Sequence, residues 1–201
     1  MLRCEYPTVQ GTVLRYNNEF ELLFATILSA QCTDKRVNEV TKVLFKRYKT
    51  LKDYAEANLH ELQDIIRSTG FYRNKAKFIK SAAKKLIDDF HSKIPLSIGE
   101  MTKLSGVGRK TANVVIANAF DIVEGIAVDT HVIRLSKRLG FTTNKNRDKI
   151  ERDLMNLFPK EQWFEVSNLL IAHGRTICLA RHPKCDECIV NSLCLSTFTA
   201  I

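Results

Sequence analysis

The sequence is short of residues that break regular structure, with eight glycines and four prolines in 201 positions. Breakers this few and this well spread leave little material for long irregular connections, and short links between regular elements are expected. Long hydrophobic runs are also missing. The longest apolar stretch, residues 20–30, is interrupted by Glu21 and is too short to cross a bilayer. The opening Met1-Leu2-Arg3-Cys4-Glu5-Tyr6-Pro7-Thr8 has no signal-peptide core. An intracellular, non-membrane protein is expected, cytoplasmic or nucleoid-associated in a prokaryote. No segment alternates apolar and polar residues well enough to make a strand. Negative charge is in short supply: 22 Asp and Glu face 31 Lys and Arg, for a formal net charge of +9. That balance suits a polyanionic partner, most simply nucleic acid.

Helical spacing is what remains. Val37, Val40, Val43, Leu44 and Phe45 recur on one face, as do Ala76, Ile79, Ala83, Leu86, Ile87 and Phe90. Leu154, Leu157 and Phe158, then Val166, Leu169, Leu170 and His173, fit two further helices. The expected fold is all-α. The length allows one large domain or two small ones. Residues 73–85 carry Arg73, Lys75, Lys77, Lys80, Lys84 and Lys85 with no acidic residue. This row is either a polyanion-binding face or a plain solvated one.

Six cysteines occur, and four crowd together as Cys178, Cys185, Cys188 and Cys194. They could bind a metal centre or form two disulfides, and a reducing compartment weighs against the latter. Their spacing is unlike the paired C-x2-C units of a zinc ribbon. Cys4 and Cys32 read as small hydrophobes. His173 and the single Trp163 fall on apolar helix faces and read as core.

Leu104-Ser105-Gly106-Val107-Gly108-Arg109-Lys110 reads as a short turn leading into a helix near Arg109. Two glycines admit backbone conformations closed to other residues. Successive N–H groups in the turn, with the N-terminus of the next helix, can receive a phosphate. The plainer reading is a packing corner. Lys110 then sits where the helix N-terminus and Arg109 both disfavour a protonated amine. It suits either a Schiff-base nucleophile or a phosphate contact. Asp129, before Thr130 and His131, suits a helix N-cap. A carboxylate fixed in that way also suits glycosidic chemistry, which builds positive charge on a sugar.

These segments together resemble the endonuclease III family of DNA repair glycosylases. Ile27-Leu28-Ser29-Ala30-Gln31-Cys32-Thr33-Asp34 and Thr69-Gly70-Phe71-Tyr72-Arg73-Asn74-Lys75-Ala76 are similar to two more of its landmarks. The resemblance runs from about Phe20 to Cys194. It implies a helix-hairpin-helix glycosylase of two all-α lobes with DNA in the cleft between them. A six-helix lobe would span 15–125; the other, from 1–14 and 126–201, would carry a [4Fe–4S] cluster on the four cysteines. It further implies a bifunctional glycosylase and abasic-site lyase acting, as a monomer, on double-stranded DNA with oxidised or ring-saturated pyrimidines. Lys110 matches the Schiff-base lysine and Asp129 the essential aspartate. Gln31 matches the residue that fills the gap left by the extruded base, and Phe71 stands where an apolar wedge, usually leucine, is found. Gly106, Gly108 and Arg109 belong to the DNA-binding hairpin. Arg181, His182 and Lys184, between the first two cysteines, would form a phosphate clamp, unless the cluster only staples a small lobe. Ser105 replaces the hairpin's usual proline.

Three other readings compete. Monofunctional mismatch glycosylases of the same superfamily lack the lysine at the position of Lys110. A non-enzymatic helix-hairpin-helix module would need neither Lys110 nor Asp129. A small electron-transfer protein would be expected without the hairpin.

Overall fold

The structure is a computed structural model describing residues 1–8 and 11–197. Residues 9–10 and 198–201, part of the expected cluster-bearing lobe, lie outside the described residues. Among the described residues the regular elements are α-helices and short 3-10 turns, with no strand. None of these helices is long and apolar enough to cross a membrane. The chain divides into two compact units, Thr12–Glu124 and Met1–Gly11 with Gly125–Ile201.

The Thr12–Glu124 unit is built around α2 (Glu19–Leu28), a helix buried on every side from Glu21 onward. A helix with no polar face must be enclosed by others. Here α3 (Asp34–Arg47), α6 (Tyr72–Phe90) and α8 (Arg109–Phe120) pack around it. Leu22, Leu23, Phe24 and Leu28 are fully enclosed, each contributing about 1.5–3 kcal/mol by leaving water. The charge that α2 buries, Glu21, is matched by the Asn17 backbone N–H at 2.7 Å and the Asn17 amide at 2.8 Å. Asn18 caps the helix from the other direction. The short helices α4 (Leu51–Glu56) and α5 (Leu59–Ile66) pack on α6, and α7 (Ile98–Met101) leads into the hairpin before α8.

The basic row on α6 is not one solvated face. Lys75 is buried, Lys80 gives its ammonium to the Ala57 carbonyl at 2.6 Å, and Lys85 pairs with Asp89.

In the second unit, α9 (Thr130–Arg138), α10 (Arg147–Leu157) and α11 (Trp163–Thr176) surround Ile126, Val128, Val132, Leu135, Ile150, Leu154, Val166 and Leu170. The N-terminal turn α1 (Leu2–Glu5) rests on α11. Trp163 packs on this core and donates Nε1–H to the Phe158 carbonyl at 2.9 Å. Cys4 departs from expectation. It is exposed, because the four-residue α1 buries none of its side chains.

Candidate functional site

The hairpin separates its two glycines. Gly106 has φ +78, and a Cβ there would meet the Phe78 side chain at 2.8 Å. Both backbone and neighbour therefore require glycine. Gly108, expected to need the same freedom, does not. Its φ is −94 and a Cβ would meet nothing within 4 Å. What its missing side chain provides is open space over the turn. Ser105 hydrogen-bonds Ser81 of α6 across 2.8 Å, which ties the turn to that helix. Gly108 is the N-cap of α8, which begins at Arg109. Lys110 is half-buried at its second position, and Arg109 is exposed at its first.

Two other expected DNA contacts share this unit. Gln31 lies just past the end of α2 with φ 53, and Phe71 is the N-cap of α6 with φ 47. Neither is glycine, and both are exposed, Phe71 by 64%. A bulky residue held left-handed is rare enough to suggest a task for the side chain it projects.

In the other unit Asp129 caps α9. Its Oδ1 accepts from the backbone N–H of His131 at 2.8 Å and of Val132 at 2.9 Å. A single oxygen satisfies both donors, so Oδ2 takes no part in the cap.

The same helix then reaches the cysteine loop. Arg134 donates from Nη2 to the carbonyls of Cys178 and Gly174, each at 2.9 Å. Arg138 donates from Nη1 to Cys178 Sγ at 3.2 Å and to the Leu179 carbonyl at 2.7 Å. Gly174 allows this approach, since a Cβ would meet His131 and Arg134 at about 3 Å. Reading from sequence missed both arginines. The available signal was their i, i+4 spacing immediately after the aspartate.

Cys178, Cys185, Cys188 and Cys194 line one cavity of about 350 Å³ with Arg138, Ile177 and Pro183. No disulfide joins any of the four. Among the described residues no three His, Cys, Asp or Glu side chains are placed to share one metal ion. Burial pushes the Cys188 thiol up, and its three cysteine neighbours push the same way. Four thiolates there need a compensating positive centre. Arg138 Nη1 donates to Cys178 Sγ, and His173 Nε2 lies 3.3 Å from Cys188 Sγ, contacts of the kind that tune sulfur ligands. His173 is thus buried as expected but not inert; its Nδ1 meets Tyr6 Oη at 3.0 Å. Arg181, His182 and Lys184 are exposed on the same loop, His182 with φ 52. Lys184 lies 3.4 Å from Glu187.

Comparison with known proteins assigns this chain to a family. Residues 24–160 match the HhH-GPD superfamily base excision DNA repair protein model. Residues 178–194 match the iron-sulfur binding domain of endonuclease III. Endonuclease III of Synechocystis is 50% identical over 183 residues, covering 91% of this chain and 84% of that one. Endonuclease III of Bacillus subtilis is 50% identical over 182 residues, covering 90% and 83%. A trapped covalent endonuclease III–DNA intermediate superposes with a TM-score of 0.93 at 45% identity, covering 98% of this chain and 92% of that one. A thermostable thymine-DNA glycosylase shares the fold, with a TM-score of 0.83 at 23% identity, covering 92% and 87%. Likeness this close along nearly the whole chain, together with four cysteines that line one cavity, places the protein in the endonuclease III family of base excision repair, DNA glycosylases with abasic-site lyase activity that carry a [4Fe–4S] cluster.

Proposed function

We propose that this chain removes oxidised or ring-saturated pyrimidines from duplex DNA and nicks the resulting abasic strand through a Schiff base on Lys110. What carries the reading is an amine and a carboxylate each set at a helix start: Lys110 at the head of α8 and Asp129 as the N-cap of α9. The relative at 45% identity forms a covalent intermediate with DNA, and a covalent intermediate needs a nucleophile. A primary amine supplies one. That complex holds an estranged adenine, and adenine's usual partner is a pyrimidine.

A base inside a duplex is shielded, so its nucleotide must be extruded, at a cost of about a few kcal/mol that damage reduces. Phe71 and Gln31 hold the vacated stack. The bond from C1′ to the base breaks and the base leaves with the electron pair. Asp129 stabilises the positive charge that grows on the sugar. The Lys110 amine bonds to C1′ and loses a proton as the sugar ring opens to the imine. The imine acidifies the C2′ proton. Loss of that proton expels the 3′ phosphate and cuts the strand, and water then releases Lys110. Arg109 and the exposed Arg181, His182 and Lys184 contact backbone phosphates, which position the protein without reading sequence. Cys178, Cys185, Cys188 and Cys194 hold the [4Fe–4S] cluster. When bound, it supplies metal–thiolate bonds that close the loop carrying these cations. In this reading the protein acts as a monomer on chromosomal DNA inside the cell.

Borohydride trapping on duplexes that differ only in the damaged base tests both halves of the proposal. Saturated and oxidised pyrimidines should give the adduct and damaged purines should not. Lys110→Gln should give none while still binding DNA. An adduct at wild-type yield from that variant would remove Lys110 as the nucleophile.

A further inference from the structure

Lys75 is 3% exposed. Its ammonium donates to the Leu28 carbonyl at 2.7 Å and to the Thr69 carbonyl at 2.8 Å. Leu28 is the last residue of α2, and Thr69 ends the 3-10 turn Arg67–Thr69. Carbonyls at helix ends lack their internal partners and carry partial negative charge. An ammonium between two of them satisfies both. Burial lowers the Lys75 pKa, and nearby Cys32 acts in the opposite direction.

The two carbonyls owe their importance to the residues that come after them in the chain. Just beyond Leu28 the chain turns left-handed at Gln31, and just beyond Thr69 it turns left-handed at Phe71. Non-glycine residues held in this way cost about 1–3 kcal/mol each and persist only where the surroundings enforce them. Both side chains are exposed, so their own packing does not enforce the conformation. The first turn of α6 holds Phe71 from the far side. The backbone N–H groups of Asn74 and Lys75 each donate to the Phe71 carbonyl at 3.1 Å. The Lys75 side chain therefore fixes the chain ahead of Phe71 and ties it to the segment that carries Gln31.

We infer that Lys75 is a positioning residue that locks Gln31 and Phe71 into a single rigid pair of probes for the base stack of duplex DNA. The inference rests on the proposed roles of those two residues in filling and wedging the stack. Loops free to move would have to be ordered as they entered the duplex, and that ordering weakens binding and slows extrusion. The lock does that ordering during folding. An apolar residue at position 75 would fill the space but leave two buried carbonyls without donors.

The test compares Lys75→Met and Lys75→Arg with Phe71→Ala and Gln31→Ala. The first readout is the fluorescence of 2-aminopurine beside a damaged pyrimidine on protein binding, which reports loss of stacking. The second is base release from the paired duplex. The third is borohydride adduct formation at an abasic site inside an unpaired loop, where nothing need be extruded or wedged. Lys75→Met should suppress the fluorescence rise and slow duplex base release about 10- to 100-fold, with adduct formation in the unpaired loop at the wild-type rate. Lys75→Arg, which keeps charged donors, should recover part of both losses. If Lys75→Met does not fold, Lys75→Gln, whose amide can serve one carbonyl, carries the same comparison. Equal loss on paired and unpaired substrates would reduce Lys75 to a stability residue and overturn the inference. If Phe71→Ala and Gln31→Ala suppress the fluorescence rise while the Lys75 variants do not, the lock alone fails. If neither Phe71→Ala nor Gln31→Ala changes it, the wedge reading itself is wrong.

Discussion

Asp129 has two candidate roles, and a pair of substitutions separates them. In Asp129→Asn the amide oxygen can keep both bonds to the His131 and Val132 N–H groups, now 2.8 and 2.9 Å. Asn caps helices about as well as Asp, so what is lost is the attraction of a charge to the start of α9, about 0.3–1 kcal/mol. For a chain of this length 1 kcal/mol moves the melting temperature by about 2–4 °C. Asp129→Ala loses the cap itself, about 0.5–2 kcal/mol, and should melt lower. Capping alone therefore orders the variants wild type, Asn, Ala, in both stability and turnover. Catalysis by charge orders them differently. A carboxylate about 4 Å from a cationic sugar, at an effective dielectric of about 20, is worth about 4 kcal/mol. At about 1.4 kcal/mol per tenfold in rate, that is about a thousandfold. Asn and Ala should then lose base release to a similar extent although their stabilities differ. Single-turnover base release, nicking of a pre-formed abasic site and thermal melting should be measured on the same preparations. Nicking should suffer less, because no base has to leave. Near-normal base release by Asp129→Asn, with Asp129→Ala impaired in proportion to its melting temperature, would leave Asp129 as a cap and nothing more.

Five further substitutions address the rest of the site. Gly106→Ala forces a Cβ into a left-handed backbone and against Phe78, and should destabilise by about 2–4 kcal/mol in chemical denaturation. Gly108→Ala, with ordinary φ and open space, should melt near wild type yet bind duplex DNA more weakly if phosphate approaches the turn. Cys188→Ser should yield protein with less iron, a weaker visible absorption and a lower melting temperature; full iron content would exclude Cys188 as a ligand. Arg181→Glu should reduce affinity for undamaged duplex and lower the salt slope by about one phosphate contact. Lys184→Glu should do less, because Glu187 already neutralises part of that charge; unchanged affinity in both would remove the clamp.

Where a fact is local, the sequence carried it. The apolar spacing of α6, that of α3 except for Val43, which is exposed, the start of α8 at Arg109 and the cap at Asp129 depend on residues within a few positions of one another. The four-cysteine spacing was legible because sulfur is rare and its clustering has few explanations. Facts set by distant packing were hidden. Six basic residues in a row do not reveal that Lys75 is the one drawn inward, because the acceptors are carbonyls of other segments, one of them far away in the chain. Two glycines in one turn look alike until φ and neighbours are known, and then only Gly106 is obligatory. Cys4 reads as a hydrophobe until α1 proves too short to bury it.

Helix α9 joins two features that the sequence presents as separate. At its N-terminus Asp129 holds the cap, and along its length Arg134 and Arg138 bind carbonyls and a sulfur of the loop that begins at Cys178. Loss of the cluster would therefore do more than free a surface loop. Five backbone and side-chain acceptors of two arginines lie on or just before that loop, at Gly174, Cys178, Leu179 and Ala180. Hydrogen bonds to charged groups contribute about 1.5–3 kcal/mol each, so a loosened loop would strip α9 of much of its support. Asp129 would then sit at the start of a helix held by its buried Val132 and Leu135 but without the ties of Arg138 to the loop. The cluster need take no part in the chemistry to matter for it. A cluster bound in the loop would act on Asp129 only through these arginines and the helix that carries them.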